Sequence, residues 1–289
     1  MNVRATGGDT TGTLVLVATP IGNLGDLSPR AVEALAGAAA VCCEDTRHSG
    51  RLLAHAGIQG PRLIVVNEHT EAEACVEIVR LLESGADVAL VTDAGTPGLS
   101  DPGERVVAAA VGAGARVSAV PGPAAAVMAL VVSGLPTRRF AFEGFLPRAG
   151  ADRAERLAEV AAERRTVVVY EAPHRLERTL ADLELACGPS RRVAIARELT
   201  KLHEEVWRGT LHEAVRHVGA RPPRGEYVLV LEPARPPEPA TEAELVDALR
   251  AELRAGASRK DAAARVATRL GAPRRRVYEL ALRLGDSAN

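Results

Sequence analysis

The sequence predicts an α/β protein made of two α/β domains, with a mainly parallel sheet in the first, a mixed sheet in the second, and a small helical segment at the end. Three observations predict it. Residues 13–134 alternate short apolar runs with helical patterns, the order that builds a parallel sheet. Those runs are continuously apolar, so both faces of the sheet must be covered. A chain of 289 residues, 47% hydrophobic and 25% charged, is globular in composition and too long for one ordinary core.

The first strands are expected at Thr13–Thr19, Ala39–Cys43, Leu63–Asn67, Asp87–Thr92 and Arg116–Val120. Between them, Ser28-Pro29 supplies an N-cap and a proline at the first helical position, and Pro102-Gly103-Glu104 opens another helix. Around Leu135 to Ala151 the pattern breaks into Gly-Leu-Pro and Gly-Phe-Leu-Pro turns, the natural junction between domains spanning 13–134 and 135–232. A helix at Asp152–Glu163, a strand at Thr166–Tyr170, a helix at Pro173–Cys187 and a strand at Arg192–Ala196 follow. Next come an extended stretch, a helix near Leu211–Val218 and a strand at Tyr227–Leu231; long connections are fewer here, hence the mixed sheet. Pro233 to Pro239 is a stiff linker. It leads to a segment, 241–289, with short helices near 241–255, 258–270 and 273–284.

A formal net charge of −1 gives no global pull toward nucleic acid or an anionic membrane, though a local basic surface is still open. Cys42, Cys43, Cys75 and Cys187 form neither a C-x-x-C pair nor a Cys/His ligand spacing, so buried reduced thiols are expected, and no metal. The opening residues MNVRATGGDT lack a leader pattern, and the apolar run Leu14 to Ala18 is too short to span a bilayer, so a cytoplasmic protein is expected, without a membrane partner.

The chemistry is expected where strands end and helices begin. Each of the first strands ends in an unusual turn: Thr19-Pro20-Ile21-Gly22-Asn23-Leu24, Glu44-Asp45-Thr46-Arg47, Asn67-Glu68-His69, TDAGTPGLSDPG from Thr92, and Pro121-Gly122-Pro123-Ala124-Ala125. Glycine lets backbone approach a ligand and proline freezes the turn. A single such turn is punctuation; a set at successive strand ends, several carrying carboxylates, points to a site. There is no G-x-x-x-x-G-K-[ST], and no G-x-G-x-x-G follows the first strand, which argues against a P-loop or a standard dinucleotide fold. Prolines and carboxylates suit a ligand with an ammonium or sulfonium group and hydroxyls better than one with several phosphates.

The texts LVLVATPIGNLGDLSPRA, CEDTRHSGRLL, VTDAGTPGLSDPG, VPGPAA, FEGFLPR, YEAPHR, ARELTKLHEE and GEYVLVLE run in order over roughly residues 13 to 232. Together they resemble the tetrapyrrole-methylase superfamily, and within it the branch that methylates a cytidine 2′-hydroxyl in 16S ribosomal RNA. The terminal segment is similar to the helix-turn-helix-like tail of that branch.

This resemblance implies S-adenosyl-L-methionine as cofactor, held in a cleft between the two α/β domains, a homodimer, and 16S rRNA or the 30S subunit as partner. Carried over position by position, the cofactor contacts should be Pro20, Asp93, Gly95, Ser100, Asp101, Pro121, Gly122, Ala124 and Ala125, with Leu146, Tyr170, Arg197 and Gly225 from the second domain. Ala124 departs from the small hydroxyl residue that many relatives carry, which leaves only backbone contact there.

Methyl transfer to a hydroxyl is an in-line displacement whose barrier positioning can lower by roughly 7–11 kcal/mol, while a general base adds about 10²–10⁴-fold. Candidates are Asp45, Arg47, Glu68 and His69 near strand ends, with Lys201, His203 and Glu204 from the second domain. The alternative readings are Arg47 as an ion-pair partner of Asp45, His69 as an exposed loop residue, and the ELTKLHEE run as an edge strand with solvated charges.

RNA would be anchored by Arg259, Lys260, Arg274, Arg275 and Arg276 in a tail with ten basic and seven acidic residues. The alternative for the tail is a helical bundle docking on its own dimer. The competing functions are a precorrin-type tetrapyrrole C-methyltransferase, which would want cleft-facing arginines but no basic tail, and a non-catalytic RNA-binding module on the same fold.

Overall fold

The computed structural model describes residues 11–67, 69–220, 222–236 and 240–286. Glu68, residues 1–10, and residues 237–239 of the expected linker therefore lie outside the described residues.

Residues up to Ala234 form one compact unit holding two five-stranded sheets. The first consists of β1 (Thr13–Val17), β2 (Ala40–Cys43), β3 (Leu63–Val65), β4 (Val88–Leu90) and β5 (Arg116–Val120). Its order is β3-β2-β4-β1-β5 and every pairing is parallel. Helices α1 (Pro29–Gly37), α2 (Thr46–His55), α3 (Glu71–Glu83) and α4 (Glu104–Gly112) cover it on both faces. The strands show why their runs are continuously apolar. Leu14 packs against Ile78, Leu82 and Val106 on one face, while Val17, Val41 and Val91 pack with Ala31, Leu35 and Leu53 on the other.

Several strands are shorter than the sequence suggests, because polar side chains take their ends. Thr19 leaves β1 to bridge Gly95. The Asn67 side chain accepts from the amides of His69 and Thr70 and turns the chain after β3, and the Asp87 carboxylate accepts from the Thr13 amide before β4.

The second sheet holds β6 (Phe140–Phe145), β7 (Thr166–Glu171), β8 (Arg192–Arg197), β9 (Glu205–Thr210) and β10 (Tyr227–Leu231) in the order β6-β7-β10-β8-β9. Only β6 and β7 run parallel, so the sheet is mixed. β6 falls where the sequence suggests only turns. A register shift between Phe142 and Gly144, with Gly144 at φ 60°, breaks the alternation that would have marked it. One face is covered by α6 (Gly150–Ala162), α7 (Pro173–Cys187) and α8 (Leu211–Gly219). The other takes α5 (Ala125–Val132, AAVMALVV), which comes from the end of the first sheet. α5 has no polar stripe, and Ala126, Ala129 and Leu130 are buried with Val168, Ala194 and Val228 of the second sheet.

The remaining helices, α9 (Glu242–Arg254), α10 (Arg259–Arg269) and α11 (Arg274–Asp286), form a separate unit with its own core of Leu245, Leu249, Val266, Val277 and Leu280. Thr241 with Glu244 forms a capping box on α9, and Ser258 caps α10. Cys42 and Cys43 are buried, whereas Cys75 and Cys187 are only half-buried. Burial pushes the Cys42 thiol up to about 12, so it stays protonated and unreactive. Among the described residues no helix is long and apolar enough to cross a membrane.

Candidate active site

The turns after β1, β4 and β5 are latched together. Thr19 and Gly95 exchange backbone hydrogen bonds of 2.8 and 3.1 Å, and the Thr19 hydroxyl donates to the Thr92 carbonyl at 3.1 Å. The Thr96 hydroxyl donates to the Pro123 carbonyl at 3.1 Å. Gly95 sits at φ 89°, and a Cβ there would lie 3.3 Å from the Ile21 side chain. At Gly122 a Cβ would lie 2.9 Å from that of Ala18, so only glycine lets the β5–α5 turn approach β1 so closely.

Where these turns meet the ends of β6, β7 and β8, a cavity of about 450 Å³ opens, within the range of small-molecule sites. Ala196, Leu199 and Val228 give it an apolar floor, and Asp93, Thr96, Ser100 and Asp101 give it a polar wall. Burial pushes the Asp101 carboxyl up, with the charge of Asp93 adding to the effect. The Tyr170 hydroxyl accepts from the Ala126 amide at 3.1 Å, at the start of α5, where no side chain caps the helix. Phe142 and Phe145 hold the Tyr170 ring edge-on at 4.9 and 5.7 Å.

A second cavity of about 330 Å³ adjoins the first. The two share Ile21, Asp93, Ala94 and Glu226. Arg51 of α2 and Lys201 bring positive charge to its lining, and His48 of α2 stands beside them. The Lys201 ammonium lies 2.9 Å from both Glu198 and Glu226. Burial alone would lower its pKa, but the two carboxylates outweigh that and raise it, so the group is a cation and a donor. The positive-φ non-glycine residues among those described are Ser100, Glu198 and Thr200, so backbone strain gathers at these cavities. Gly225, at φ 84°, leaves room for the Glu198 carboxylate, which would lie about 2.5 Å from any Cβ there.

Of the expected cofactor contacts, Asp93, Gly95, Ser100, Asp101, Ala124, Ala125 and Tyr170 line the first cavity, and Pro20 lines the second. Pro121, Gly122, Leu146, Arg197 and Gly225 line neither. Leu146 is in the core under α7, and Arg197 donates to the Arg224 carbonyl at 2.8 Å.

Of the expected catalytic residues, Lys201 lines the second cavity. Asp45 caps α2 and pairs with Arg47 at 2.8 Å; the Arg47 hydrogen bond holds its carboxyl well below the usual range. Glu204 accepts from the Thr200 amide at 2.6 Å. His69 and His203 are exposed and line neither cavity. The ELTKLHEE run is mainly the turn into β9, which is an edge strand.

Sequence reasoning missed Thr96, Leu199, Glu198, Glu226, His48 and Arg51. The last two had a signal: His48, Arg51 and Leu52 recur at helical spacing in CEDTRHSGRLL and share one wall.

The donor set fits S-adenosylmethionine. That molecule carries an adenine ring, ribose hydroxyls and two cationic centres, and the first cavity offers an apolar floor, hydroxyl partners and several carboxylates, Asp93 and Asp101 among them. Among the described residues no group of His, Cys, Asp and Glu could hold a metal ion.

Comparison with known proteins gives one consistent answer. The profile of the family described as Tetrapyrrole (Corrin/Porphyrin) Methylases matches residues 13–215, and one described as RsmI C-terminal HTH domain matches residues 239–285. The chain is 46% identical to a Ribosomal RNA small subunit methyltransferase I from Synechocystis sp., covering 94% of this chain and 98% of that protein. It is also 46% identical to the protein of that name from Xylella fastidiosa, over 93% and 98%. Among solved structures it resembles the uroporphyrin-III C-methyltransferase of Thermus thermophilus in complex with S-adenosyl homocysteine. There the TM-score is 0.54 at 20% identity, over 76% of this chain and 97% of that one.

Proposed function

We propose, from the premise that this chain belongs to the tetrapyrrole methylase family and is an S-adenosylmethionine-dependent methyltransferase, that it methylates a cytidine 2′-hydroxyl in the 16S rRNA of the small ribosomal subunit. The observation that carries this reading is the pair of cavities joined at Asp93 and Ala94, one suited to a cationic cofactor and the other presenting the Arg51 and Lys201 donors beside that junction, where they can reach the oxygens of a nucleotide.

When bound, S-adenosylmethionine supplies a methyl group on a positively charged sulfur. In this reading Asp93 and Asp101 hold the cofactor's charged and hydroxyl groups, while Ala196, Leu199 and Val228 receive its base. Tyr170 fixes the first turn of α5, so that Ala124 and Ala125 present backbone at a set position. On the acceptor side, the Lys201 ammonium, held by Glu198 and Glu226, orients the nucleotide by donating to an oxygen. His48 lines the second cavity, 3.8 Å from the shared Asp93, and is the group we assign to take the hydroxyl proton. Asp45 and Arg47 shape the start of α2 that carries His48. His69, His203 and Glu204 stay candidates for contacts with bound RNA.

The tail supports an RNA acceptor. Arg259 and Lys260 open α10, and Arg274 to Arg276 open α11, all exposed. Cations at a helix N-terminus oppose its dipole, a cost that a bound phosphate would offset. The reading keeps residues 13–134, 135–232 and 241–289 as domains, and a cytoplasmic homodimer that light scattering would test.

The deciding experiment incubates the protein with labelled S-adenosylmethionine and purified 30S subunits, then maps the modified nucleotide. Label at a cytidine 2′-oxygen of 16S rRNA is expected. Label that enters a precorrin-type macrocycle supplied in a parallel incubation but not 30S subunits, or cofactor binding without transfer, would overturn the reading.

A further inference from the structure

A third cavity, of about 380 Å³, lies at the start of α7 and is almost wholly basic. Its lining is Arg148, Arg153, His174, Arg175, Arg178 and Thr179. Two carboxylates reach these arginines. Asp182 lies 2.8 Å from Arg153 and 3.8 Å from Arg178, and Glu171 lies 3.3 Å from Arg175. Four guanidinium groups therefore face two acids, which leaves an excess of positive charge even with His174 neutral.

The floor of the cavity is built rather than incidental. Arg153 is 4% exposed and bonded to Asp182, to the Pro147 carbonyl at 2.8 Å and to the Thr179 hydroxyl at 3.0 Å. Arg175 is held by Glu171 and by the Leu146 carbonyl at 2.6 Å. Above this floor Arg148 and His174 are exposed and have no hydrogen-bond or ion-pair partner among the described residues, and Arg178 is 64% exposed. α7 begins here with Pro173 at its first position and no side-chain cap, so the positive end of a 15-residue helix points to the same place. Convergent guanidinium forks at a helix start suit a phosphate oxyanion.

The cavity also adjoins the cofactor cleft along the chain. Phe145 at the end of β6 and Pro173 line the cleft, while Arg148 and His174 line the basic cavity. Glu171 lines the cleft with one face and holds Arg175 of the basic cavity. Phe145, on the cleft side, is 52% exposed, an apolar ring on which a base could stack. We infer that this pocket, with the unpaired Arg148 and His174 and the exposed Arg178 as its donors, binds a backbone phosphate of the RNA whose target ribose enters the neighbouring cleft. The inference rests on the RNA reading of the site and assigns to the catalytic unit itself a grip on substrate that the basic tail alone would not supply.

The test compares wild-type full-length protein with an Arg148→Ala/Arg178→Ala double variant, and with Arg148→Lys. Binding to purified 30S subunits is measured against salt concentration, and S-adenosylmethionine affinity is measured by calorimetry. Loss of this phosphate contact should weaken 30S binding on the order of tenfold at low salt and flatten the salt slope by about 0.7–0.9. Cofactor affinity and melting temperature should be unchanged, and Arg148→Lys should keep most of the slope, because its charge remains. A double variant that binds 30S subunits with the wild-type slope overturns the pocket while leaving the function in place. Wild-type protein that binds cofactor but neither binds nor methylates 30S subunits overturns the function and this inference with it. Wild-type affinity for a carboxylated macrocycle that the double variant loses would reassign the pocket to a carboxylate ligand, and so also overturns it.

Discussion

The Tyr170 hydroxyl and the Ala126 amide are joined by a 3.1 Å hydrogen bond that ties the end of β7 to the first turn of α5. Tyr170 belongs to the second sheet, and α5 follows directly on the last strand of the first, so this bond links the two sides of the 450 Å³ cavity that both elements line. Tyr170→Phe keeps the edge-on packing with Phe142 and Phe145 and removes only the acceptor. Stability should fall by about 0.5–1.5 kcal/mol, and cofactor affinity should weaken severalfold, as read by thermal melts and calorimetry. Unchanged affinity would mean that the first turn of α5 is held by packing alone.

Gly95→Ala should be far more damaging. It places a side chain at φ 89° and 3.3 Å from Ile21, in the turn that bridges Thr19. The strain amounts to roughly 1–3 kcal/mol, and the displaced turn should abolish measurable cofactor binding in calorimetry while far-ultraviolet circular dichroism stays native.

Asp101 gives the site a pH dependence. Burial raises its pKa above the ordinary carboxyl value. The stability this contributes is present below the unfolded pKa and is lost as pH rises through the folded one. A cationic ligand reverses the preference, because it favours the charged carboxylate. Cofactor affinity should therefore rise with pH through the raised pKa and then level off, with proton release on binding in the acid range. Calorimetry in buffers of different ionisation enthalpy reads that release, and Asp101→Asn should remove it.

Lys201 should behave as a fixed cation. Glu198 and Glu226 raise its pKa, so the ammonium persists through the neutral and mildly alkaline range. Lys201→Gln should cut kcat/KM for 30S methylation by about 10²-fold or more through lost positioning, and leave cofactor affinity near wild type. An alkaline loss of activity that disappears in the variant would instead identify Lys201 as a titrating group.

Removing residues 240–289 should leave the rest folded, since α9, α10 and α11 carry their own core. Cofactor affinity should be retained and 30S binding should weaken with a shallower salt dependence. Loss of cofactor binding would indicate that the tail docks on the catalytic unit or its dimer.

Much of the fold is legible in the sequence because hydrophobic periodicity is a local property. α7 and β10 fall at Pro173–Cys187 and Tyr227–Leu231 as their patterns suggest. β6 was hidden because its bulge at Gly144 disrupts the period, and only its partner β7 makes it a strand. The loop around Asp93 and Asp101 was legible because glycine, proline and carboxylate are rare together at a strand end. His48, Arg51, Glu198 and Glu226 were not, since exposed charged residues on helices and turns look like ordinary surface.

By itself the sequence determined the alternation of strands and helices, the acidic turn from Thr92 to Pro102, the family and the basic tail. Each is carried by residues close together in the chain. The tertiary structure alone decided that α5 packs across onto the second sheet, that Lys201 meets Glu226, and that Arg148 and His174 share a cavity beside the cleft. Those relations join residues far apart in sequence or on different elements. They exist only once apolar faces are buried and the backbone has chosen which side chains are left to face one another.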